Sequence, residues 1–202
     1  MHGLINKAIE GFVCDSFGAE RWQAICRAAR LEESEFEAML HYEDAVTGRL
    51  LNATAAELGV LREAVLEDIG TYLVSHPNVE ALRRLLRFGG ESFVEFLHSL
   101  DELPERARLA VDDLGLPTLE LRDLEEGRFA LLSRFPWPGF GHVMIGVLRT
   151  LADDYGALVF LEHRGVEKAG PGETLETIEV TVVEAAFAAG RRFDLGARAG
   201  SP

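Results

Sequence analysis

Apolar residues recur at three- and four-residue steps through the first half of the chain. Leu4, Ile5, Ala8, Ile9, Phe12 and Val13 define one face of a first helix, which "DSFG" ends with Gly18 as its C-cap. "AERWQAICRAAR" predicts a second helix with Trp22, Ile25 and Cys26 turned inward, and "EESEFEAMLHY" a short third. Asn52 in "NATAAELGV" is placed to cap a helix, and "LREAVLEDIGTYLVSH" carries Leu61, Val65, Ile69 and Leu73 on one face. "NVEALRRLLRF" follows, until Gly89-Gly90 breaks the pattern. From Glu91, the spacing of Phe93, Phe96, Leu97, Leu100 and Leu103 predicts one helix reaching Pro104. A proline inside a helix removes a hydrogen bond and costs about 3 kcal/mol, so residue 104 asks for a reason.

Past Leu114 the period changes from helical to alternating. "LPTLELRDLEEGRFALLSRF" alternates on both sides of "EEG" and predicts a hairpin. "GFGHVMIGVLRTLADDYG" returns to helical spacing, with Phe140, Met144, Val147, Leu148 and Leu151 on one face. "ALVFLEHRG" and "ETLETIEVTVVE" then predict a second strand pair joined by the loop "VEKAGPG". "AAGRRFDLGARAGSP" has little periodicity. The order is α+β: a helical N-terminal subdomain followed by a four-stranded antiparallel sheet with a crossing helix. Residues 1–184 are expected to form one domain, with a helical lobe at 1–60 and a helix-plus-sheet lobe at 61–184, and 185–202 a flexible tail.

Composition narrows the classes. Of 202 residues, 48% are hydrophobic, enough to build a core. No apolar run reaches the roughly 18 residues of a membrane span, and "MHGLINKAIEGF" lacks the basic start and cleavage site of a signal peptide. A cytoplasmic protein that does not engage membranes is expected. A net charge of −14 argues against nucleic acid as a partner. The acids are spread over helix faces, which serves solubility, a basic partner being the other reading. Cys14 and Cys26 leave a disulfide open, although a cytosolic setting favours reduced thiols, and no further metal ligands lie near them in sequence. There is no G-x-S-x-G, P-loop or H-E-x-x-H, and "GFGHVMIG" lacks dinucleotide-binding spacing, so the chain is not expected to be an enzyme.

Several strings resemble the haem nitric oxide/oxygen binding (H-NOX) family, the gas-sensing domain of soluble guanylate cyclase and of bacterial signalling proteins. "MHGLI" with "FVCDSFGAERWQAIC" is similar to that family's start, "FLHSLDELPERARLAVDDLGLPTLEL" to its central segment, and "GVLRTLADDYG" to the end of its last long helix. The resemblance covers roughly residues 1–184 and implies an H-NOX-like fold. It also implies an output through a signalling protein such as a histidine kinase, a nucleotide cyclase or a diguanylate cyclase. In the matching register the family's proximal histidine, which ligates haem iron, falls on Pro104, whose ring has no donor atom to offer. The family's Tyr-x-Ser-x-Arg motif, which holds the haem propionates, falls on Ser133, Phe135 and Trp137. A charge-assisted clamp is thereby replaced by large apolar rings.

What the resemblance then implies is a haem-independent sensory or regulatory domain with no cofactor. Its pocket would be lined by Ile5, Leu97, Leu100, Pro104, Pro117, Ser133, Phe135 and Trp137, and either filled by these side chains or open to another hydrophobic ligand. The alternative is a sensor that binds haem b and NO or O2 with altered ligation through His98, about 240° round a helix from Pro104. A closed interaction module is the third reading. His142 reads as a core or surface residue, and His41, His76 and His163 are given no role.

Overall fold

The computed structural model describes residues 1–31, 34–87 and 89–190. Helix α1 (Gly3–Phe17) starts at His2, whose Nδ1 accepts the Leu4 N–H at 3.2 Å. It stops where Gly18 takes φ +88°, a conformation that only glycine adopts freely. Helix α2 (Ala19–Ala28) buries Trp22, Ile25 and Cys26, as the period predicts. Helices α3 (Asp44–Leu58) and α4 (Arg62–Ser75) complete a helical layer whose core gathers Ile9, Phe12, Val13, Leu50 and Val65. Helices α5 (Glu80–Arg87), α6 (Phe93–His98) and α7 (Leu103–Ala110) lead to the sheet.

Strands β1 (Thr118–Glu125) and β2 (Arg128–Phe135) form the expected hairpin. Helix α8 (Phe140–Tyr155) then crosses to β3 (Leu158–Gly170) and β4 (Glu173–Glu184). The sheet is antiparallel throughout, in the order β1-β2-β4-β3. Phe93, Phe96, Leu131, Leu148, Leu151 and Ile178 make a second core between α6, α8 and the sheet. The architecture is the α+β arrangement expected. Helices α4 and α8 join the two cores, since α4 supplies Val65 and Ile69 to the first and Val74 to the second.

Five expectations need correction. The helix over "EESEFEAMLHY" does not form across the described residues 34–42, which run as a bend and a turn. Phe36 is buried in the core with Tyr42 packed against it, Met39 and Leu40 are exposed, and the backbone finds other partners: Ser34 O accepts from Trp22 Nε1 (2.7 Å) and Leu40 O from Gly3 N (2.7 Å). Glu32 and Glu33, also in that stretch, lie outside the described residues. Asn52 caps nothing, because α3 already starts at Asp44 and buries Thr47, Leu50 and Leu51 on the way. Leu61 is 75% exposed at the N-cap of α4, one residue before the helical face it was assigned to.

The helix from Glu91 to Pro104 is two helices. A capping box between Ser92 and Glu95 starts α6, a 3-10 turn (Leu100–Glu102) follows, and α7 starts at Leu103. Pro104 therefore sits in the first turn of α7, where its missing N–H breaks no helical hydrogen bond. Finally, "VEKAG" is strand and not loop. Val166, Glu167 and Lys168 pair with Glu176, Leu175 and Thr174, leaving a tight turn at Pro171-Gly172. The start of the expected tail is tied down by Ala188 N donating to Gly156 O at 3.0 Å; its remainder, from residue 191, lies outside the described residues.

Candidate functional site

Between the helical layer and the sheet lies an apolar cavity of about 280 Å³. Helix α1 contributes Ile5 and Ile9, α4 Leu66 and Ile69, α7 Leu103 and Ala107, and α8 Phe140, Val143 and Met144. Pro117 and its neighbours 114–116 close one side and Phe135 at the end of β2 another, its ring 6.4 Å from that of Phe140. That side is held in place by His2, buried at the start of α1, whose Nε2 lies 3.1 Å from Asp113 Oδ1. Among the described residues every lining side chain is aliphatic or aromatic except the Met144 thioether, so none of them turns a nitrogen or oxygen to the space.

Of the residues expected to line a pocket, Ile5, Pro117 and Phe135 do. Trp137, 47% exposed, lines a smaller cleft of about 140 Å³ that shares Ile5, Leu66 and Phe135 with the cavity. Leu97 and Leu100 do not reach either space, because the break after α6 turns them into the core under the sheet. Pro104 is buried between Leu103 and Ala107 without itself lining the cavity. Ser133 faces the sheet core, opposite Leu119 and Glu176 in the register, and its buried Oγ has no partner among the described residues. His98 points away: its side chain is half-exposed, meets Phe129 edge-on at 5.8 Å and lies 3.7 Å from Asp123.

An orphaned buried hydroxyl carries a desolvation cost of about 1–3 kcal/mol. Ser133→Ala is therefore expected to raise stability by about 1 kcal/mol, measured by denaturant titration. A loss of stability would show that the hydroxyl has a partner after all.

The sequence reading missed two groups. Arg62, in the first turn of α4, lines the smaller cleft. Its signal was available: a cation at a helix start, where the dipole disfavours it, with Leu66 in place of an acid four residues on. The second is a polar network around α8. His142 and His163 stack with ring centroids 4.2 Å apart. His142 Nδ1 lies 3.3 Å from Glu67 Oε1, and His163 Nε2 lies 2.9 Å from the buried Glu176 carboxylate. Burial alone would raise the Glu67 carboxyl, but bonds from Arg149 and His142 hold it below the usual range. The two cysteines are free thiols in the helical layer, and burial pushes Cys26 up to about 11.

A family profile described as Haem-NO-binding matches residues 2–163. Soluble guanylate cyclase 89Db of Drosophila melanogaster is 20% identical over 158 residues, 78% of this chain and 24% of that protein. Soluble guanylate cyclase gcy-32 of Caenorhabditis elegans is 24% identical over 155 residues, 75% of this chain and 23% of that protein. This chain thus spans about a quarter of the length of those relatives. Among solved structures, a Cs H-NOX variant with an unnatural amino acid superposes with TM-score 0.75 at 12% identity, covering 94% of this chain and all of that one. An oxygen-binding H-NOX domain related to soluble guanylate cyclases gives 0.69 at 12% identity, covering 95% of this chain and all of that one.

Proposed function

This chain belongs to the haem-NO-binding family, and from that premise we propose that it is a signal-transduction domain that works without haem. The domain is a sensor and not a catalyst, and the matches cover only the corresponding part of the cyclase subunits. One observation carries the haem-independent reading: the chemistry of the cavity wall. Iron in haem proteins is held by His, Cys, Met or Tyr, and among the described residues the wall offers only the Met144 thioether. Among the described residues no lysine or arginine lines the main cavity itself, and the cation of the adjoining cleft is Arg62. Where the family resemblance places the iron ligand stands Pro104, and His98, the alternative ligand, packs on the outer side of Phe129. The residues present do not fit haem.

In this reading the cavity takes another hydrophobic ligand, and about 280 Å³ of space beside Phe135 and Phe140 supports it. Residues 1–184 act as one sensory unit in the cytoplasm, and its occupancy is passed to a signalling partner such as a histidine kinase or a nucleotide cyclase. The cyclase relatives support that output. Among the described residues no helix is long and apolar enough to cross a membrane.

The test is reconstitution. The chain purified with haem supplied during expression is expected to show no stoichiometric Soret band. A band that shifts with NO or CO would overturn the proposal.

A further inference from the structure

We propose that the ligand of this cavity is a single-chain carboxylate, a fatty-acid anion, with its alkyl chain in the apolar space and its head on Arg62. The inference rests on the haem-independent reading and adds the chemical class of the ligand. The cavity and the adjoining cleft have opposite characters. The first, about 280 Å³, has no side-chain nitrogen or oxygen in its wall among the described residues. The second, about 140 Å³, opens beside exposed Trp137 and carries Arg62. The shared wall of Ile5, Leu66 and Phe135 makes them one path, apolar inside and cationic at the rim.

Arg62 lacks an anion. Its Nε is buried without a partner, and no hydrogen bond or ion pair to its guanidinium is present among the described residues. The other charged groups of the cleft and its hydroxyl are already engaged. Asp44 holds the Met1 ammonium at 2.7 Å, and the Thr47 hydroxyl donates to Asn6 Oδ1 at 2.6 Å. Among the described residues, that leaves one positive charge at the rim without a partner. Helix stability does not explain it, since a cation in the first turn of α4 opposes the helix dipole. A guanidinium presents a planar fork that matches a carboxylate with two parallel hydrogen bonds. The volume stands at the small end of the ligand-pocket range, which suits a flexible chain.

Calorimetric titration of the whole chain with octanoate, decanoate, dodecanoate and tetradecanoate tests this, with 1-dodecanol as the neutral match. Affinity should rise about fourfold per added methylene until the cavity is full, and then level off. Arg62→Gln should weaken dodecanoate roughly ten- to hundredfold and leave dodecanol unchanged, which also shows that the variant is folded. If dodecanol binds the native chain as well as dodecanoate, or if Arg62→Gln weakens both alike, the carboxylate assignment is overturned while a hydrophobic ligand still stands. If neither binds, both fall. Haemin titrated in parallel keeps the two claims apart: a Soret band that responds to NO overturns the haem-independent reading whatever the fatty acids do.

Discussion

Replacing Gly146 by alanine should destabilise the protein by about 3 kcal/mol, although the same change in a free helix would stabilise it by about 1 kcal/mol. Gly146 lies mid-way along α8 and faces α4. A methyl group built there would run into the Glu67 carbonyl oxygen and come within 2.7 Å of the Thr71 backbone nitrogen. Gly70 on α4 meets the same obstacle from the other side, its methyl colliding with the Val143 carbonyl. The two helices thus touch backbone to backbone, and neither wall is a side chain that can rotate away. Over-packing of this kind costs at the upper end of the usual 1–3 kcal/mol range or beyond. The helices have to separate, which also stretches the bonds from Arg149 (2.8 Å) and His142 (3.3 Å) to Glu67. For a chain of this size, 3 kcal/mol lowers Tm by roughly 6–12 °C, which scanning calorimetry reads directly. Gly70→Ala should behave alike, and the double variant should lose less than the sum, because one separation relieves both clashes. A rise in Tm for Gly146→Ala would show that the helices are not in backbone contact.

That close crossing explains what the sequence could and could not convey. Periodicity located α1, α2, α4, α8 and the first hairpin, because their apolar residues recur at the helical or alternating step. It failed at 34–42, where Phe36 alone is buried and tertiary hydrogen bonds replace helical ones. It also joined α6 to α7. Apolar spacing continues through Leu100 and Leu103, but the two residues serve different spaces, one the sheet core and the other the cavity. The same break moved Leu97 and Leu100 out of the expected pocket. Gly146 was legible only as a landmark, since what it touches is 75 or more positions away in the chain. The cavity was half legible. Ile5, Pro117 and Phe135 followed from register, whereas Ile69, Leu103 and Val143 depend on how α4, α7 and α8 pack. Arg62 stands out by what it lacks, and the absence of a partner is visible only once the neighbours are placed.

Glu176→Ala should cost about 3–4 kcal/mol, and the loss should be felt at the cleft as well as in the sheet. The Glu176 carboxylate is 1% exposed on β4. One oxygen accepts the Gly139 N–H at 2.8 Å, and the other lies 2.9 Å from His163 Nε2. It therefore fastens three elements: its own strand, β3 through His163, and the start of α8 through Gly139. Alanine leaves the Gly139 donor buried and unmet, at about 1–3 kcal/mol, and strips His163 of the Glu176 carboxylate while its ring stays stacked on His142. Hydrogen bonds to a charged group contribute about 1.5–3 kcal/mol each, and the Glu176 carboxylate takes part in two. Glu176→Gln keeps an acceptor for Gly139 and should lose only about 1–2 kcal/mol. Gly139 and Pro138 also line the cleft beside Trp137 and Arg62. Loosening them should shift Trp137 emission in the alanine variant well below its unfolding transition, while Trp22, buried among α1 and α2, stays unchanged. A single-tryptophan background, with Trp22→Phe, isolates that signal. Should the alanine variant match the native chain in both Tm and emission, the carboxylate does not hold the loop, and the cleft owes its shape to the packing of Phe135 and Phe140 alone.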